Sequence, residues 1–263
     1  MKIFSILLVV SLLLLAQPVV AEGRSYHRAT VQGLGALFTV DEYPPDFLPP
    51  LTYDFYLTNQ WVSEITLKYL KDNRKEVIVV LYQEAHPWPE THRIDALLGS
   101  SKAKYIDIVT VFEETYDSYL NELNDTYDYI KANYPGAVVY QWPHTNFFDF
   151  TRLNELHADG FVIDPRWHWS NEFGPNFSQG PGDFESKYLY PVLATGKPVI
   201  NFIFVGAMAD LAGYPEWWQY SIGQYWSSQK HKVPVGIVQP FMPGYETLTL
   251  ERLKIILNYR KLQ

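Results

Sequence analysis

The chain contains no cysteine. That excludes disulfide staples, thiol nucleophiles, iron–sulfur clusters, cysteine-based zinc sites and a lipid-anchoring cysteine. A domain without staples must hold itself together by core burial, and 263 residues can support that. Basic residues are scarce too: 21 Lys and Arg stand against 29 Asp and Glu, a formal charge of −8. A nucleic-acid binder carries a basic footprint, so no nucleic-acid partner is expected. No G-x-G-x-x-G, Walker or G-x-S-x-G pattern occurs, so neither a phosphate-cradling turn nor a serine nucleophile elbow is indicated. His86, His92, His144 and His168 form no spaced ligand pair, so no metal and no cofactor is implied.

Long apolar runs are limited to one. Lys2 precedes the run Ile3 to Ala16, and Val19-Val20-Ala21 follows. This reads as a secretory signal peptide over residues 1–21, and the run is short for a bilayer span. The expectation is an extracytoplasmic chain, residues 22–263, forming one domain with no membrane span. Charged residues make up 19% and hydrophobic residues 47%, which excludes a disordered chain. Aromatics reach 16%, an excess that calls for a role.

Apolar runs alternate with helical patterns along the chain. Strands are expected at Ala29–Val40, Glu76–Tyr82, Tyr105–Phe112, Ala137–Trp142, Gly160–Asp164, Pro198–Val205 and Val233–Phe241. Helices are expected from about Asn59 to Asn73, then at His92–Leu98, Tyr116–Asn133, Phe150–His157, Phe184–Thr195, Pro215–Gln229 and Leu248–Leu262. Near-continuous apolar strands alternating with helices argue for a parallel sheet wrapped in helices. Without a phosphate turn, and with polar residues at nearly every strand end, a closed barrel fits better than an open sheet. The expected fold is a (β/α)8 TIM-type barrel with seven clear strands and the eighth degenerate or missing.

Such a barrel carries its active site at the carboxyl ends of its strands. Those ends deliver Glu84 and Trp88, Glu113, Gln141, Trp142 and His144, then Asp164, Arg166, Trp167 and Trp169, then Asn201 and Gln239. Carboxylates, amides and tryptophans on one rim suit a sugar: aromatic faces stack on pyranose rings while amides and carboxylates bind hydroxyls. Glycoside hydrolysis needs two carboxylates. Glu84, Glu113 and Asp164 are therefore the catalytic candidates. Trp88, Gln141, Trp142, His144, Arg166, Trp167, Trp169, Asn201 and Gln239 are the substrate-binding candidates. Structural readings stand beside these. Glu113 could open the next helix, where a carboxylate suits the dipole. Asp164 could pair with Arg166 in its loop.

On Tyr82-Gln83-Glu84, Phe112-Glu113-Glu114, Gln141-Trp142 and Val162-Ile163-Asp164, the chain resembles a secreted glycoside-hydrolase-like barrel. The resemblance is one of architecture and selects no particular family. It implies a poly- or oligosaccharide substrate. It also implies carboxylates after strands four and seven, as in many retaining barrel hydrolases. On the seven-strand count those ends carry the amides Gln141 and Gln239. That departure keeps two alternatives open: a non-catalytic carbohydrate-binding or cell-surface protein, and a metal-assisted phosphodiesterase or deacetylase using the histidines.

Overall fold

In a computed structural model the described residues are 31–38, 43–83, 88–112, 119–143, 148–164, 184–204, 217–238, 251–252 and 254–255. The expected leader lies outside them, as does most of the expected final helix. Eight strands form a closed parallel barrel in chain order. They are β1 Leu34–Leu37, β2 Phe55–Asn59, β3 Glu76–Tyr82, β4 Ile108–Phe112, β5 Val139–Trp142, β6 Gly160–Ile163, β7 Val199–Phe204 and β8 Val235–Val238. The barrel expectation holds. The strand missing from the sequence reading is β2, and counting it makes Glu76–Tyr82 the third strand and Ile108–Phe112 the fourth.

The helices between strands are α1 Glu64–Asp72, α2 Thr91–Leu98, α3 Leu120–Asn133, α4 Tyr190–Ala194 and α5 Trp217–Lys230. A 3-10 turn at Phe150–Glu155 replaces the helix expected there. Among the described residues, no helix is long and apolar enough to cross a membrane. α1 shows how a helix seats on the barrel. Ser63 caps it by accepting from Thr66 N, Leu67 and Leu70 bury, and Thr66 Oγ1 donates to the carbonyls of Pro45 and Phe47.

Strand period two divides the core into two. Phe55, Leu57, Ile78, Val80, Tyr140, Val162 and Phe202 fill the barrel interior. Tyr56, Val77, Val79, Val139, Phe161, Val199 and Ile237 face the surrounding shell. Glycine permits the tight interior. A Cβ at Gly236 would meet Phe202 Cε1 at 2.1 Å, and one at Gly160 would meet the Tyr140 ring at 2.5 Å. Large rings therefore lie across the strand positions that lack side chains.

The amino ends of the strands are tied by a repeated device. Asp54, Asp107 and Asp159 each immediately precede an even-numbered strand. The backbone N–H of each donates to a carbonyl of the preceding odd strand: Leu34, Val77 and Val139 respectively. The carboxylate of each accepts the N–H of that same residue, at 2.8, 2.7 and 2.9 Å. Lys71 and Lys131, from the ends of α1 and α3, add ion pairs to Asp107 and Asp159 at 2.7 and 3.0 Å. Asp107→Ala strands both the Val77 N–H and the Lys71 ammonium in a half-buried setting. The expected loss is about 1–3 kcal/mol of unfolding free energy in urea titration, with Asp107→Asn losing less because it keeps an acceptor.

Candidate functional site

Strand register decides which side chains reach the carboxyl-end mouth. The pairing of every strand with its neighbour follows the shear of eight found in such barrels, so inward residues from alternate strands share a level. Leu37, Val80, Trp142 and Phe202, from the odd strands, form one level. The rings of Trp142 and Phe202 stack there with centroids 5.5 Å apart. Asn59 on β2, Asp164 just past β6 and Val238 on β8 share the next level toward the mouth.

Asp164 is 3% exposed and accepts a hydrogen bond from Trp142 Nε1 at 2.9 Å. The indole is held by Phe202 beneath it, so the carboxylate is fixed in position by a rigid donor. This is a buried acid at the top of an apolar barrel, where its field is weakly screened.

The β2–β3 side of the mouth carries an aromatic shelf. Trp61 stacks on Tyr82 at 5.6 Å with an interplanar angle of 13°. Trp61 is 41% exposed, a large apolar face left open to solvent. Gln60 braces this corner by accepting from Tyr82 N at 3.1 Å, and Asn59 O accepts from Val62 N. The sequence reading missed this shelf because it placed Trp61 on a helical face. The signal lay in Phe55-Tyr56-Leu57-Thr58-Asn59, a β-favouring run immediately before it.

Of the expected site residues, the structure brings Trp142 and Asp164 together at the mouth. Three others face the helical shell, and their expected place at the mouth is corrected. Gln141 has the opposite parity to Tyr140 and Trp142, and its amide donates to Leu123 O on α3 at 3.2 Å. Asn201 likewise alternates with Ile200 and Phe202 and donates to Ser228 Oγ on α5 at 3.0 Å. Trp88 is buried in the shell cluster against Tyr119, with its backbone N–H donating to Glu122 at 3.2 Å. Glu84, Glu113, His144, Arg166, Trp167, Trp169 and Gln239 lie outside the described residues. Among the described residues, no group of three His, Asp or Glu could hold a metal.

A cavity of about 780 Å³ opens at the other end of the barrel, lined by Val31, Lys131, Tyr140, Asp159, Lys197 and His231 among others. Two of its lysines are engaged: Lys131 with Asp159 and Ala137 O, Lys197 with Leu156 O and the Phe161 ring. Burial pushes the Tyr140 hydroxyl above its ordinary range, so it stays protonated there. That end of a barrel serves stability rather than chemistry, and the site is placed at the mouth rather than in this cavity.

No known family model and no curated protein sequence matches the chain. Solved structures do match in fold. One is PbGH5A, a glycoside hydrolase family 5 enzyme from Prevotella bryantii B14, in complex with a xyloglucan tetradecasaccharide. It shares 9% identity at a TM-score of 0.52, covering 88% of this chain and 98% of that one. Another is a variant of the glycoside hydrolase domain of PelA from Pseudomonas aeruginosa, at 12% identity and a TM-score of 0.50. That match covers 80% of this chain and 96% of the other. At these identities the likeness is one of fold alone: a (β/α)8 barrel.

The Trp142–Asp164 bond is testable on its own. Trp142→Phe keeps the stack on Phe202 but withdraws the donor from a buried carboxylate. The expected cost is about 1–3 kcal/mol, read by thermal or denaturant unfolding.

Proposed function

We propose that the chain is an exported glycoside hydrolase acting on a poly- or oligosaccharide at the carboxyl-end mouth of its barrel. The observation that carries this reading is the mouth itself: a buried carboxylate, Asp164, held by an indole donor opposite an exposed Trp61–Tyr82 shelf. A flat aromatic face takes the apolar side of a pyranose ring, and a fixed carboxylate beside it is half of the acid–base pair that hydrolysis needs.

The recount of strands supports the other half. With β2 included, β4 ends at Phe112, and Glu113 follows directly in sequence. The resemblance to barrel hydrolases asks for a carboxylate after the fourth strand, and the seven-strand count had put Gln141 there instead. Glu113 is thus the proposed proton donor, with Glu84, following Gln83 at the end of β3, as its alternate. Asp164 serves as the base or nucleophile. Export rests on the leader over residues 1–21. A second reading, sugar binding without cleavage, draws on the engagement of Asp164 by Trp142.

A hydrolysis screen over neutral and acidic glycans tests this with wild type, Glu84→Gln, Glu113→Gln and Asp164→Asn. Loss of a general acid should lower kcat by about 10²–10⁴-fold in Glu113→Gln with unfolding unchanged. Hydrolysis untouched by both Glu113→Gln and Glu84→Gln overturns the assignment, and glycan binding without hydrolysis in wild type selects the second reading. Separately, Trp61→Ala should raise KM by about tenfold with kcat nearly constant, because the shelf binds ground state and transition state alike.

A further inference from the structure

Asn59 is the last residue of β2 and is 0% exposed. Its parity with Phe55 and Leu57 turns it into the barrel. Among the described residues, neither its Nδ2 nor its Oδ1 has a hydrogen-bond partner. A buried amide with both ends unsatisfied is costly, and in native proteins such a group calls for an explanation. Gln141 and Asn201 on the shell side each find a donor bond to a carbonyl or hydroxyl. Asn59 does not, and it sits at the mouth, in the level that Asp164 shares. Three strands lie between β2 and β6 on either side of a barrel of eight, so the two stand on opposite sides of the axis.

We infer that Asn59 is a sugar-recognition residue whose amide binds a substrate hydroxyl across from Asp164. This deepens the hydrolase reading and rests on it. A hydroxyl both donates and accepts, and Asn59 offers one group of each kind, so sugar hydroxyls can satisfy its Nδ2 and Oδ1 together. The orphaned amide is then a site kept at the expense of stability and satisfied when substrate enters.

The signature is opposite signs in stability and activity. Asn59→Leu, close in volume and apolar, removes the unsatisfied groups. Its Tm should equal or exceed that of wild type, while kcat/KM on the best-cleaved neutral oligosaccharide falls by about thirtyfold or more, mainly through KM. Asn59→Ser, which is smaller, repeats the comparison where leucine packs poorly. The probes are cello-, manno- and xyloglucan oligosaccharides. Unchanged kcat/KM in both variants overturns the inference. So does a lowered Tm in both, the mark of an amide that holds a structural water. Calorimetric binding separates this failure from that of the parent reading. Wild type that binds neutral oligosaccharides without cleaving them, with binding lost in Asn59→Leu, removes hydrolysis and upholds Asn59. Wild type that neither binds nor cleaves overturns both.

Discussion

Three aspartates at the amino ends of β2, β4 and β6 set what the rest of the molecule can do. Each brackets the start of the neighbouring odd strand with two bonds, one from its backbone and one to its carboxylate. A parallel strand pair has no hairpin turn to fix its register, and a slip of one residue would turn every side chain to the other face. The brackets supply a fixed starting point at β1, β3 and β5. The consequences appear at the opposite end, where the same register brings Asn59 and Asp164 to one level and Trp142 onto Phe202. Stability is thus anchored at one end of the barrel, and the polar mouth at the other depends on it.

Parity then sorts the polar residues by use. Gln83, Gln141 and Asn201 are buried on the shell side, where they bond to helices: Gln83 to Thr126, Gln141 to Leu123 O, Asn201 to Ser228. These amides dock the helices onto the barrel. Asn59 and Asp164, of similar chemistry, point the other way, above levels filled by Leu57, Val80, Val162 and Phe202. The apolar levels give the mouth a dry floor, and a dry floor strengthens every charge and dipole above it.

Much of this was legible in the residues. The runs EVIVVLY and VINFIF announce strands buried on both faces, and strand–helix alternation announces the barrel. β2 was not legible because FYLTN is only five residues long and sits between a proline-rich loop and Asn59-Gln60-Trp61, which reads as the start of a helix. Missing it displaced the strand count by one, so Gln141 stood in the fourth position that belongs to Phe112 and Glu113. The second error was physical. Every polar residue near a strand end was assigned to the mouth, although period two sends half of them to the shell, and Gln141 and Asn201 are of that half. The aspartate brackets were present in the sequence as an Asp directly before β2, β4 and β6, but a repeat of one residue at a spacing near fifty is invisible without the pairing.

The count of strands and the parity of side chains together change what the aromatic excess means. Tyr56 and Phe161 belong to the shell, and Trp88 packs there on Tyr119. Tyr140, Trp142 and Phe202 fill the interior, Tyr140 and Phe202 laid over glycine positions on neighbouring strands and Trp142 stacked on Phe202. Trp61 combines a large exposed face with a place at the mouth, and it is stacked on Tyr82 rather than standing by itself. An exposed indole in a chain with so much buried aromatic surface costs solvation that burial elsewhere would recover. Its position two residues after Asn59 puts that cost on the same side of the mouth as the unsatisfied amide. Two independent departures from good packing, one apolar and one polar, therefore fall at the end of one short strand. A ligand with an apolar face and a hydroxylated edge relieves both at once, and a sugar ring is such a ligand.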